Sequence, residues 1–131
     1  MLLKKEELAS LKLSSMDETH NEEFELIHKL HAVTKNSSQK VISEVLDELI
    51  THTIKHFVNE EKLMKEADYP DYFLHQHEHA KQLLDLKSIR SFYEMTHDKK
   101  SLSDYLEGTL SPWIVNHIED FDMVTAEFLN Q

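Results

Sequence analysis

Residues 42–63, ISEVLDELITHTIKHFVNEEKL, decide the fold of this chain. Apolar side chains recur there in steps of three and four, which is the spacing of one face of an α-helix. Along that face the residues change from apolar to metal-ligand types and back, in the order Ile42, Val45, Leu49, His52, His56, Glu60 and Leu63. The pattern predicts one long helix whose inner face carries candidate metal ligands.

The composition around this stretch favours an all-α fold. The 131 residues include one glycine and two prolines, so few residues interrupt a helix, and 40% of the chain is hydrophobic, enough for one core. No linker, low-complexity tract or repeat of fixed period divides the sequence. We therefore expect a single domain over residues 1–131, built as a helical bundle.

Turn and cap residues divide the chain into a short N-terminal arm, residues 1–14, and four helices. The helices are predicted over about residues 15–35, 39–66, 71–97 and 102–129. The stretch from Ser15 to Asp17 offers side chains that suit an N-cap of the first helix. Pro70 follows the second helix, because proline cannot continue the backbone hydrogen-bond ladder.

The fourth helix has an irregularity, since Gly108 and Pro112 interrupt its pattern. Either the helix kinks there, or it begins at Ser111 and Pro112 with Ser111 as its cap. The side chains predicted to line the inside are Trp113, Ile114, His117, Phe121, Val124 and Phe128.

The charge and the absence of cysteine exclude several classes of function. A formal net charge of −11, with Lys and Arg mixed among acidic residues, argues against nucleic-acid and membrane partners. Without cysteine the chain forms neither disulfides nor thiolate-ligated metal sites. No apolar run resembles a signal peptide or approaches the roughly 18 residues of a transmembrane helix. We expect a cytoplasmic protein that is monomeric, because no sustained heptad repeat suggests assembly.

Histidine is the unusual residue of this sequence, with ten copies. Five of them occur with two carboxylates in a metal-ligand spacing: His20, His56-x3-Glu60, His75-x3-His79 and His117-x4-Asp122. Residues four apart lie on one face of a helix, so two of these segments each direct a pair of ligands to one point. The set predicts a centre for two metal ions.

The donor atoms restrict which metals fit. Imidazole nitrogens suit iron, copper, zinc or nickel, and a carboxylate can bridge two cations. Two divalent ions would bring four positive charges, of which Glu60 and Asp122 neutralise two and a bridging hydroxide a third, leaving a charge that a buried site tolerates. Carboxylate-rich di-iron bundles have more anionic ligands, so a histidine-rich iron pair is expected to bind O2 without cleaving it.

The sequence resembles a bacterial single-domain hemerythrin over nearly its whole length. The matching segments are MDETH at 16–20, HFVNEEKLM at 56–64 with Tyr69-Pro70, His75 to His79, and WIVNHI at 113–118 followed by Asp122. The resemblance implies an antiparallel up-and-down four-helix bundle with a short N-terminal arm. It also implies a non-haem di-iron centre that binds O2 reversibly as a hydroperoxide at a five-coordinate iron.

The resemblance assigns each candidate ligand to one of two irons. One iron would be held by His75, His79 and His117, and the other, with the open position, by His20 and His56. The residues that would bridge both irons, together with an oxo or hydroxo group, are Glu60 and Asp122. Trp113 and Ile114, one helical turn before His117, would form an apolar wall of the O2 pocket.

Two carboxylates have close competitors in the sequence. On an ideal helix, Asp122 lies five residues after His117 and therefore about 140° around the axis from it. Asp120, three residues after His117, lies nearer its face, so spacing alone would choose Asp120 as the partner of His117. The family's His-x4-Asp pattern selects Asp122 instead. Glu60 lies four residues after His56, and the neighbouring Glu61 is expected to be solvated.

The other histidines are not expected to bind metal. His77 points away from the phase of His75 and His79, and His97 falls at a helix end, where a cation suits the helix dipole. We interpret His31 and His52 as core residues or as residues that pack beside a ligand. If His52 reaches the pocket, it would hydrogen-bond a ligand or a bound anion and tune O2 affinity.

Four functions are compatible with such a centre. The leading hypothesis is an O2-binding protein for storage, delivery or scavenging, which is not an enzyme. The alternatives are an O2 or redox sensor that acts through a separate protein partner, a di-iron enzyme that handles peroxide or nitric oxide, and a structural zinc bundle. The enzyme ranks third, because no proton-transfer residue can be placed beside the open iron from the sequence.

Overall fold

In a computed structural model, which describes residues 1–11 and 13–130, the chain forms an antiparallel bundle of four helices, as predicted. We name them α1, Ser14–Asn36; α2, Gln39–Glu66; α3, Tyr72–Thr96; and α4, residues 99–129. A short 3-10 turn, Lys5–Glu7, lies in the N-terminal arm. Within the described residues, no helix is both long and apolar enough to cross a membrane.

Polar caps and left-handed residues set half of the helix ends. The Ser38 hydroxyl accepts a hydrogen bond from the Val41 amide and caps α2, and the Asp98 carboxylate accepts one from the Ser101 amide and caps α4. Asp68 (φ 53°) and His97 (φ 53°) adopt the left-handed conformation that stops a helix. The second helix therefore ends before Pro70 is reached.

The start of α1 differs from the predicted cap. Leu13, which has no acceptor in its side chain, occupies the cap position. The Asp17 carboxylate instead accepts hydrogen bonds from the Leu11 amide, at 2.9 Å, and from the Ser10 hydroxyl, at 3.2 Å. Asp17 thus holds the N-terminal arm against the first turn of α1.

The fourth helix is continuous but irregular. It comprises α-helical segments Lys99–Tyr105, Ser111–His117 and Met123–Leu129, separated by π-helical turns Leu106–Leu110 and Ile118–Asp122. Of the two predicted alternatives, a helix start at Ser111 is wrong, because the chain is already helical before it. Pro112 has no amide to donate, and the Ser111 amide bonds to the Leu106 carbonyl five residues back, so a π-turn absorbs the interruption.

The N-terminal arm is attached to two helices. The Leu3 amide donates to the Ser111 hydroxyl at 2.9 Å, and that hydroxyl donates to the Leu106 carbonyl at 2.7 Å. On the other side, His28 Nε2 donates to the Leu3 carbonyl at 2.7 Å. The Leu3 side chain is buried in the core, so the arm completes one end of the bundle.

The core follows the predicted helix faces with two exceptions. Ile42, Val45 and Leu49 of α2 are buried, as expected. Leu63, however, is 36% exposed, and Val124 is 50% exposed although its spacing predicts that it faces inward. The π-turn before Val124 adds a residue to the helix and rotates the next segment, so Thr125 is buried in its place.

The buried leucines should dominate the stability of the bundle. Leu46 on α2 is fully buried, whereas Leu84 on α3 is 67% exposed. We expect Leu46→Ala to lower the free energy of unfolding by about 2–5 kcal/mol, because it leaves a cavity. The matched change Leu84→Ala should alter it by less than about 0.5 kcal/mol. Urea denaturation followed by circular dichroism measures both values, and equal effects would contradict this assignment of the core.

Candidate metal centre

Seven buried side chains from all four helices meet in the middle of the bundle. They are the predicted set His20, His56, Glu60, His75, His79, His117 and Asp122. Their ligand-type atoms form two groups in which all such atoms lie within 4.8 Å of one another. One group contains three histidines, the other contains two, and Glu60 and Asp122 belong to both.

Glu60 connects α2 with α3. Its Oε2 atom lies 2.5 Å from His56 Nε2, one helical turn earlier on α2. Its Oε1 atom lies 3.3 Å from His75 Nε2 and 3.3 Å from His79 Nε2, both on α3. The two oxygens of one carboxylate therefore face different histidine groups, which is the arrangement a bridging ligand needs.

Asp122 occupies the equivalent position on α4. Its Oδ2 atom lies 3.0 Å from His20 Nε2, and its Oδ1 atom lies 3.0 Å from His75 Nε2 and 3.1 Å from His117 Nε2. A π-turn brings Asp122 to the face of His117, since the Met123 amide bonds to the Ile118 carbonyl five residues back. Helical phase favoured Asp120, which is exposed. The spacing rule fails here because the helix is not a regular α-helix.

Three of the histidines donate their second ring nitrogen to a partner outside the set. His56 Nδ1 donates to Glu23 Oε2 at 2.7 Å, His75 Nδ1 to Thr125 Oγ1 at 2.8 Å, and His79 Nδ1 to Glu61 Oε2 at 2.9 Å. Such bonds fix the ring orientation and direct Nε2 to the centre.

The expectation of a solvated Glu61 is wrong, because this side chain is three-quarters buried and bonded to His79. Glu23 and Thr125 are two further residues of the site that the sequence did not predict. Glu23 lies three residues after His20, on the same face of α1, and this spacing could have identified it as a residue of the site. Thr125 gave no such signal, because the π-turn changes its phase.

Aromatic rings hold two of the histidines in place. Phe57 stacks on His79, with ring centroids 3.9 Å apart and planes 2° from parallel. Trp113 stacks on His117 at 4.4 Å and 13°, and Phe121 lies on His117 at 5.3 Å and 16°. Ile114, one turn before His117, is also buried. Trp113 and Phe121 therefore restrict the ring of His117, which belongs to the three-histidine group.

The remaining histidines lie outside the two groups. His77 is exposed, and His97 is at the C-terminal end of α3, where it contacts Gln39. His31 Nε2 lies 3.2 Å from Glu107 and takes no part in the centre. His52 packs edge-on against His56, with ring centroids 6.4 Å apart, and lies 3.9 Å from the Glu23 carboxylate. His52 therefore lies beside a candidate ligand, one of the two predicted alternatives.

Opposite charges define the electrostatics of the cluster. Burial alone would lower the pKa of His75, but hydrogen bonds and charges from Asp122 and Glu60 raise it to about 9. Burial also opposes a charged His56, yet Glu60 and Glu23 raise its pKa well above the usual value. Although burial favours the neutral acid, contacts led by His56 hold the pKa of Glu60 well below its usual range. At His56 and His75, protons therefore compete with a metal ion for the same ring nitrogens.

The unpaired atoms of the cluster fit a metal site. Glu60 Oε1, His79 Nε2 and Asp122 Oδ1 are buried, and among the described residues they lie 3.0–3.3 Å from other members of the cluster without the geometry of a well-formed hydrogen bond. Buried polar atoms are normally paired, so such atoms need a partner of another kind. All three point into the two groups, whose nitrogen and oxygen donors suit a transition metal.

A cavity reaches the group that has two histidines. Its volume is about 300 Å³, and it lies between α1 and α2. The residues that line it include Met16, Thr19, His56, Asn59, Glu60 and Leu63. A small molecule in this cavity would therefore contact the two-histidine group through His56 and Glu60.

Comparison with known proteins identifies relatives over most of the chain. The family described as "Hemerythrin HHE cation binding domain" matches residues 11–129. A bacteriohemerythrin of Stenotrophomonas maltophilia is 31% identical over 112 residues, which cover 86% of this chain and 71% of the relative. One of Aquifex aeolicus is 26% identical over 114 residues, which cover 87% of each chain.

The fold matches as well as the sequence. A crystal structure of wild-type hemerythrin superimposes with a TM-score of 0.81, covering 100% of this chain and 98% of that one, at 23% identity. At this identity the structure supports the fold alone, and the family match over residues 11–129 carries the assignment. The chain belongs to the hemerythrin family.

Proposed function

We propose that this protein holds two non-haem iron ions and binds dioxygen reversibly at one of them, for storage, delivery or scavenging of O2. The family match and the bacteriohemerythrin relatives support an iron-binding and oxygen-binding protein. The seven buried side chains from the four helices supply the donors for the pair.

The observation that carries this proposal is the unequal division of the histidines. His75, His79 and His117 would hold one iron and His20 and His56 the other, with Glu60 and Asp122 available to both. The two-histidine group has one protein donor fewer, so an iron held there would leave room for a small molecule to bind. The cavity beside His56 and Glu60 leads to the same group.

The protein's own residues bind, orient and enclose the metal pair. Glu60 and Asp122 carry the negative charge that offsets the cations, which is necessary because isolated charges are unstable in a buried site. Trp113 and Phe121 stack on His117, so apolar rings cover that side of the centre. When bound, the iron pair supplies the reversible affinity for O2 and the electrons that this binding requires.

We also propose that residues 1–131 form a single domain, and that the protein is cytoplasmic and monomeric. Trp113 and Ile114 would contribute an apolar wall to the O2 pocket.

The first test is metal analysis and visible spectroscopy of protein purified in air, reduced without oxygen and then exposed to O2. We expect two irons per chain, absorption bands that bleach on reduction, and an oxygenated spectrum that disappears under vacuum. Bound zinc, or no bound metal, would contradict the proposal. Irreversible oxidation by O2 would favour sensing or catalysis instead.

The assignment of ligands is tested by two histidine variants. His117 is buried between the Trp113 and Phe121 rings, whereas His77 is exposed on α3. We expect His117→Ala to lose iron or the visible bands, because it removes a donor from the three-histidine group. His77→Ala should leave the spectrum and the iron content unchanged. Equal effects of the two changes would overturn the assignment.

Metal uptake should depend on pH because metal and protons compete for the same nitrogens. The pKa of His75 is raised to about 9 in the metal-free protein, and the pKa of His20 is also raised, by Asp122 against the effect of burial. A metal binds only the deprotonated rings, so its affinity should rise with pH up to about pH 9. Isothermal titration calorimetry with Zn²⁺ in buffers of different ionisation enthalpy should show proton release at pH 7. Uptake without proton release would contradict this prediction.

A further inference from the structure

A third carboxylate is buried beside the proposed iron pair. Glu23 on α1 is only 7% exposed, and its Oε2 atom accepts a hydrogen bond from His56 Nδ1 at 2.7 Å. The nearest other histidine, His52, lies 3.9 Å from this oxygen, which is too far for a hydrogen bond. A buried carboxylate without a close partner is unstable, so His56 and Glu23 depend on each other.

This contact is unlike those of the other candidate ligands. His75 Nδ1 donates to a neutral hydroxyl, Thr125, and His79 Nδ1 donates to Glu61, which is 24% exposed. The Nδ1 atoms of His20 and His117 have no hydrogen-bond partner among the described residues. Among the five histidines, His56 is therefore the one whose described Nδ1 partner is a buried carboxylate.

Two effects on His56 follow from the geometry. A hydrogen bond from Nδ1 keeps the proton on that nitrogen, so Nε2 stays available as a donor and the ring stays oriented toward the centre. The negative charge on the far side of the ring also makes the imidazole a stronger donor, and this effect is poorly screened in a buried site.

We propose that Glu23 is a positioning residue that orients His56 and, through its charge, strengthens metal binding at the two-histidine group and stabilises the oxidised pair. This inference rests on the proposed di-iron function. It assigns to α1 a second role beside His20, on the same helical face.

The adjacent Glu22 provides a matched control. Its side chain is 66% exposed, and its Oε2 atom lies 3.9 Å from His52 Nε2. We compare Glu23→Gln, which keeps an oxygen acceptor without the charge, Glu23→Leu, which removes both, and Glu22→Gln. Circular dichroism establishes whether each variant is folded. If Glu23→Leu does not fold, Glu23→Gln, which has a side chain of the same size as glutamate, carries the test alone.

Metal affinity is measured first, with Co²⁺ and Zn²⁺ alone as probes. We expect Glu23→Leu to weaken the weaker of two binding steps by about 10- to 100-fold, with Glu23→Gln in between and Glu22→Gln unchanged. Unchanged affinity in both Glu23 variants would overturn the proposal while leaving the di-iron function intact. Failure of the unmodified protein to bind two metals would instead overturn the proposed function.

The midpoint potential of the iron-loaded protein distinguishes an effect of the Glu23 charge on the centre from a role of Glu23 in packing alone. Glu23→Gln should raise this potential relative to the unmodified protein, because the buried negative charge that favours the oxidised pair is gone. Glu22→Gln should leave the potential unchanged, since its carboxylate is exposed and screened by solvent. A potential that does not differ between Glu23→Gln and Glu22→Gln would overturn the role of the Glu23 charge.

Discussion

The rest of the structure depends on one constraint, which is that the charges of two buried carboxylates, Glu60 and Asp122, must be compensated. An uncompensated charge in a protein interior costs several kcal/mol, so each must be surrounded by positive or donating groups. The bundle meets this requirement with histidines from all four helices, and each helix contributes at least one. The polar centre thus connects the same four helices that the apolar core packs together. Its contacts of about 3 Å fix the positions of these helices relative to one another along the bundle axis.

Local sequence signals were sufficient for the helices and for most of the centre. The three-and-four spacing identified α2, and the turn residues on either side gave its bounds, since Ser38 caps its start and the helix ends before Pro70. The pairs His56/Glu60 and His75/His79 converge because a four-residue step on a regular α-helix repeats its direction. Spacing could identify these pairs, whereas the division into two groups came from the resemblance to a family.

Irregular backbone and contacts between helices were beyond such reasoning. The π-turn over Ile118–Asp122 adds one residue to the helical turn, which brings Asp122 inward and turns Val124 outward. The sequence of residues 118–122 contains no feature that predicts this π-turn. Glu61 and Glu23 were misjudged or missed because each finds its histidine on a different helix. Helical phase describes one helix at a time, so a partner on a neighbouring helix becomes visible only when the bundle is assembled.

The stacked rings lower the entropic cost of binding a metal ion. Phe57 against His79, and Trp113 with Phe121 against His117, leave these imidazoles little freedom to rotate. Their rotational entropy is therefore lost when the chain folds and is not lost again when a cation arrives. A ligand set that is ordered beforehand loses less entropy when it binds, so the aromatic side chains would raise the affinity of the centre for a metal ion.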